Sequence, residues 1–246
     1  MICYIFDGSF EGLLTSIYEA YYCKDKPEEI IPEWQFKPTL LTEPVHIVTN
    51  LEKSTKVYEA IKKKISKSAL KLIYHVYLSE LEGSCTMIYN YVRLGFKLGS
   101  DVDLHLHKDC VLGMHNTEKK VTYECHRMLG FVRFKSIDNM FYSAIEPDHN
   151  ILGLIASHFA SRLPDENWII HDFKRDLAVF YNKKEWIVTE LSKEKAEDFL
   201  IREENELYET LWKEFYTTIA IQDRINPRLQ KRMMPARYWK HLTEID

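Results

Sequence analysis

The hydrophobic period of this chain changes near Gly130, and that change limits the folds open to it. From 51 to 98 the apolar residues recur at helical spacing. Val57, Ile61 and Ile65 make one stripe, and Ala69, Leu72, Ile73, Val76, Tyr77 and Leu81 make another. A further helix is predicted over 84–98 and a fourth over 108–129, with Val111, Met114, Val121 and Met128 inward. Gly130 stands where a helix-terminating glycine belongs. Beyond it, 131–137 and 140–146 read as strands around an Asp138-Asn139 turn, 151–163 as a short amphipathic helix, and 168–172, 177–181 and 186–191 as three more strands. A long helix is predicted over 193–221.

At the other end, 2–6 reads as a strand closing in Asp7-Gly8, Ser9 as the cap of a helix, and 44–49 as a second strand. Pro27, Pro32 and Pro38 mark a loop between them. Helices in the middle, strands after them and a terminal helix imply the α+β class: an antiparallel sheet, joined by the two N-terminal strands, with a central helical segment. The expected organisation is an α+β core over 1–191 and a C-terminal helix with a basic tail over 192–246, packed on that core.

Composition excludes several classes. Hydrophobic residues make up 46% of the 246, enough for a sizeable core. The net charge of −4 excludes a globally basic nucleic-acid binder. Cations concentrate instead in 224–240, which holds Arg224, Arg228, Lys231, Arg232, Arg237 and Lys240 and no acid. The five cysteines form no CxxC pair, Met1 to Asp7 does not read as a secretory leader, and no run of about 18 apolar residues suggests a membrane span. These features predict a cytoplasmic protein without bound cofactor. Glycine-rich phosphate loops, nucleophile elbows and the HExxH zinc signature do not occur. His105, His107 and Cys110 come nearest to a metal set but lack a further ligand at a recognised spacing, so no metal is expected.

Polar residues inside the strand-rich half are the candidate site. His158 and Arg162 share a helix face, suited to a phosphate or carboxylate or to pairing with acids of the sheet. His171 and Asp172 end a strand and are followed by Lys174 and Arg175; His171 is within reach of Asp148 or Glu146, or is simply satisfied in a turn. Arg133 lies among Glu124, His126, Arg127 and Glu146, where Glu124 and Arg127 fit a surface pair. His158, His171 and Asp172 are thus the catalytic candidates, and Arg133, Arg162 and Arg175 the anion-binding ones. In the tail, Arg228, Lys231, Arg232, Arg237 and Lys240 can contact phosphates while Tyr238 and Trp239 stack on bases, or the tail folds back with both rings buried.

Gly130-Phe131-Val132-Arg133-Phe134, Glu146-Pro147-Asp148-His149, Ser157-His158-Phe159-Ala160-Ser161-Arg162, the 168–175 run and Met234-Pro235-Ala236-Arg237-Tyr238-Trp239-Lys240 together resemble a bacterial family of DNA-metabolism proteins with no assigned mechanism. The resemblance implies a domain of unknown function paired with a radical SAM protein linked to DNA repair, and in some members fused ahead of a uracil-DNA glycosylase domain. Because the sequence ends at Asp246, glycosylase activity is not carried over. The expected function is an accessory role in DNA modification or repair beside a radical SAM enzyme, with single-stranded DNA as a partner and no membrane. The alternative is a hydrolase or lyase built on a His/Arg/Asp pocket.

Overall fold

The computed structural model describes residues 1–137, 140–200, 211, 214–215, 217–218 and 226–243. The fold is mixed α+β with a mostly antiparallel main sheet, in two compact units, Met1–Thr122 and Tyr123–Asp246.

In the first unit, β1 (Ile2–Phe6) lies between β2 (Glu29–Pro32) and β3 (Glu43–His46), parallel to both. The strand at 2–6 therefore does not join the main sheet, as the sequence suggested; it centres a small parallel sheet of its own. The run Ile-Cys-Tyr-Ile-Phe is apolar without alternation, which is how a strand covered on both faces reads. β2 ends on Pro32, inside the stretch expected to be loop. A proline lacks the ladder N–H but is tolerated at a strand terminus.

Helix α1 (Phe10–Tyr22) connects β1 to β2, as a parallel pair requires. Ser9 caps it by accepting from the Gly12 amide, and Asp7 fixes Ser9 by accepting from its amide and hydroxyl. α2 (Leu51–Lys64) and α3 (Lys67–Leu78) follow, capped by Asn50 and Ser66 in the same way. α4 (Ser84–Leu98) ends at Gly99, whose φ of 66° lies in the left-handed region. α5 (Asp109–Phe131) begins in this unit and ends in the next. Gly130 is still helical and has no positive φ, contrary to the stop expected there. Arg133 closes that helix end instead: its guanidinium donates to the carbonyl of Gly130 at 2.6 Å and to that of Val132 at 3.3 Å.

The second unit is built on the sheet β4 (Lys135–Ile137), β5 (Met140–Ile145), β6 (Asn167–Asp172), β7 (Leu177–Asn182) and β8 (Trp186–Glu190), in that spatial order. Three of its four pairings are antiparallel. β5 and β6 are parallel because α6 (Leu152–Arg162) carries the chain back between them. Asp138 and Asn139, the expected turn between β4 and β5, lie outside the described residues. The β7–β8 turn is closed by Asn182, whose carboxamide accepts from the amides of Lys184 and Glu185.

β6 is the middle strand, and its alternation sorts the interior. Trp168 stacks on Tyr181 at 5.1 Å and meets Phe159 of α6 at 6.3 Å, so α6 covers that face. Ile169 lies on the other face, with Tyr142, Ala178, Leu191 and Ala196. Ala196 belongs to α7 (Lys193–Leu200). Leu211, Glu214, Phe215, Thr217 and Thr218 are also helical, and the rest of the helix expected over 193–221 lies outside the described residues. A last helix, α8 (Pro227–Met233), leads to a 3-10 turn over Ala236–His241. No helix among the described residues is long and apolar enough to cross a membrane.

Trp168 is fully buried, so Trp168→Ala should remove about 3–5 kcal/mol from the second unit. Urea denaturation of the full chain, followed by far-UV circular dichroism, measures this.

Candidate functional site

The carboxyl ends of the parallel strands β5 and β6 lie side by side, and the turns leaving them carry a dense polar cluster. Its centre is Glu124 of α5, which is only 4% exposed. Helical spacing from Val121 and Met128 places Glu124 on the inward stripe of α5 rather than on its surface. One carboxylate oxygen accepts from the Asp148 amide at 2.8 Å and from the Tyr238 hydroxyl at 2.5 Å. The other accepts from the His149 amide at 2.8 Å. Three donors offset the cost of burying the charge. Tyr238 is 5% exposed; burial, and then its bond to Glu124, raise its pKa, so it remains a donor. The expected Glu124–Arg127 surface pair does not form. Arg127 instead stacks over Tyr123 at 4.2 Å and donates to the Arg232 carbonyl.

Residues 146–149 are gripped from three directions. Lys240 and His241 of the tail reach the Glu146 carboxylate at 2.5 and 3.2 Å. Arg237 pairs with the Asp148 carboxylate at 2.7 Å. From the turn after β6, Lys174 donates to the Asp148 carbonyl at 2.9 Å, and Arg175 donates to the carbonyls of Pro147 and Asp148 at 3.1 and 2.8 Å. Arg175 also pairs with Asp172 at 2.8 Å, and the Lys174 amide donates to the other Asp172 oxygen. Burial raises the Asp172 pKa, opposed by Arg175.

The sequence-predicted residues separate on this frame. Asp172 and Arg175 join the cluster. His158 and Arg162 lie on the exposed side of α6. His171 is fully buried on the sheet face opposite α6, where its Nδ1 meets the Tyr142 hydroxyl at 2.8 Å and its ring packs on Phe173 at 4.5 Å. His158, Arg162, His171 and Arg175 therefore do not converge on one pocket: two lie on the outside of α6 and His171 on the far side of the sheet, since consecutive residues of a strand face oppositely. Arg133 serves the end of α5.

The tail divides in the same way. Arg237 and Lys240 are paired with acids, and Tyr238 is buried, so stacking of Tyr238 on a base is ruled out in this arrangement. Trp239 is half-buried, its indole N–H donating to the Met234 carbonyl at 2.8 Å. Arg228, Lys231 and Arg232 are exposed on α8, with Lys231 5.9 Å from the Trp239 ring. In the first unit, His105 bonds the Asp101 carbonyl and faces His107 at 5.6 Å. Among the described residues no group of three or more His, Cys, Asp or Glu side chains is arranged to hold a metal ion.

Two histidines of the second unit carry a pH dependence. Burial pulls the pKa of both His171 and His241 below the usual 6.5; the Leu191 backbone partly opposes this at His171, and Glu146 at His241. The folded chain then binds fewer protons than the unfolded one, so their contribution is complete above 6.5 and is lost as pH falls below it. Glu146, held low first by its hydrogen bond from Lys240, adds stability above 4.5 that is lost as pH falls through its depressed value. The melting temperature should therefore drop from neutral pH to about pH 5, and His241→Gln should flatten that drop. Glu124→Ala, which strands buried donors, should cost about 3 kcal/mol or more at neutral pH. Thermal melts across pH and urea titrations check both.

No curated protein matches this chain. A family model does match, over residues 82–244, from within the helical first unit to the end of the tail. That span holds the whole Glu124 cluster, and the chain belongs to the family of this domain of unknown function, DUF4130.

Proposed function

We propose that this protein is a non-catalytic accessory factor in DNA modification or repair, contacting single-stranded DNA through α8 and acting beside a radical SAM enzyme. The observation that carries the DNA contact is the exposure of Arg228, Lys231 and Arg232 on one short helix, next to the fixed Trp239 ring. α8 contains no acid, so nothing on it competes with phosphate. The partner enzyme follows from the sequence resemblance. A hydrolase or lyase reading has less support, because His158 and His171 face away from each other and Asp172 is held by Arg175.

The pairing of two tail cations within the fold lowers the expected strength of binding. Of the five cations described in the tail, Arg237 and Lys240 are engaged with Asp148 and Glu146. Three remain for phosphate, which gives a slope of log K against log salt of about −2 for a single strand. Fluorescence anisotropy of a labelled oligothymidylate at several salt concentrations measures it. The combined Arg228→Glu, Lys231→Glu, Arg232→Glu variant should lose most of this binding without a change in melting temperature. Affinity unchanged in that variant would remove α8 as the contact. Co-expression with a radical SAM protein of the native host should give a complex that survives gel filtration; separate elution would remove the partner assignment.

A further inference from the structure

The first unit carries a continuous strip of aromatic rings on its surface, closed by a lysine at each end. Lys53 lies 5.7 Å from the Tyr18 ring. Tyr18 meets Tyr22 at 4.8 Å, Tyr22 meets Tyr21 at 5.3 Å, and Tyr21 meets Phe96 of α4 at 6.2 Å. Lys64, the last residue of α2, then stands 5.8 Å from Phe96. Tyr21 is 58% and Tyr22 70% exposed, while Tyr18 and Phe96 are partly buried and pack on the core of the unit. Adjacent large exposed rings need a reason, because each leaves apolar surface in water.

The helices that supply Lys53 and Lys64 are strongly basic. Residues 51–71 hold seven lysines and two glutamates, a net charge of +5. Both glutamates are engaged, Glu52 with Lys56 and Glu59 with Lys62, and Glu19 beside the strip is engaged with Lys53. Lys63, Lys64, Lys67 and Lys71 are exposed. Lys26 folds back to the carbonyls of Ala20 and Tyr21 and fixes the end of α1 that presents the two tyrosines. Rings fixed on helices and flanked by free cations suit a ligand with a repeating negative charge and a repeating flat face. Single-stranded nucleic acid has both, whereas in a duplex the base faces are already stacked on one another.

We infer that Tyr21 and Tyr22, held against the partly buried rings of Phe96 and Tyr18, are a second nucleic-acid contact, which stacks unpaired bases while lysines of α2 and α3 hold the phosphates. The inference deepens the DNA-associated reading of the protein but uses residues of the first unit alone. Its test is anisotropy of a labelled oligothymidylate, and of a duplex of equal length, with the full-length chain. The Tyr21→Ala, Tyr22→Ala double variant should bind the single strand about tenfold or more weakly, as expected for lost base stacking. The Tyr21→Phe, Tyr22→Phe variant should retain the affinity, and Lys64→Glu should lower it with a shallower salt slope. Both tyrosines are exposed, so circular dichroism melts of the Ala variant should match the parent. The charge-reversed α8 variant should keep a residual affinity that disappears when the two tyrosines are also replaced. Equal affinities of the Ala and Phe variants would overturn this inference and leave α8 as the contact. Loss of all binding in the α8 variant would overturn it as well. Binding that ignores α8 and follows the tyrosines would uphold the strip and reject α8.

Discussion

A buried carboxylate holds together the half of the molecule that the family match covers most fully. Glu124 is an acidic side chain in the interior of the second unit, and such a group persists only where its lone pairs are met. The Asp148 and His149 amides and the Tyr238 hydroxyl meet them. The two amides belong to the turn after β5, and the hydroxyl to the tail 114 residues further on from Glu124. One side chain of α5 therefore fixes two segments distant in sequence. Through the Asp148 carbonyl, gripped by Lys174 and Arg175, it also bears on the turn after β6.

This arrangement gives the basic tail two different jobs. Cations at 237–241 meet the acids of 146–148 and serve the fold, while those at 228–232 face solution. An unstructured basic tail would offer every charge to phosphate and pay the ordering entropy on binding. Here the tail is ordered by contacts within its own unit, and α8 is presented already folded. Surface pairs such as Lys240 with Glu146 contribute little individually, so the buried Glu124–Tyr238 bond is the one that decides where the tail lies.

Local signals in the sequence were legible and long-range ones were not. Ser9 caps α1 as its place in the sequence predicts, and the strands from 168 onward follow their periodicity. β2 was hidden by Pro32, and β1 was assigned to the wrong sheet, because partner choice is set by crossovers rather than by composition. Gly130 failed as a stop because Arg133 supplies the cap from a side chain. The role of Glu124 has a readable sign in the sequence. It sits on the same inward stripe as Val121 and Met128, and a charge on that stripe must have partners. Which partners they are depends on residues that only folding brings near. His171 shows the same limit: strand alternation separates it from α6, but only the contact of Phe159 with Trp168 says which face α6 covers.

Hydrogen–deuterium exchange of the full chain with and without single-stranded oligonucleotide tests the central claim most directly, because it reads the clamp and the contact together. Slow exchange is expected at the Asp148 and His149 amides in both states, with new protection over 227–233 when the strand is bound. Rapid exchange of those two amides in the free protein, or strand-induced changes at 146–149 with 227–233 unaltered, would contradict it.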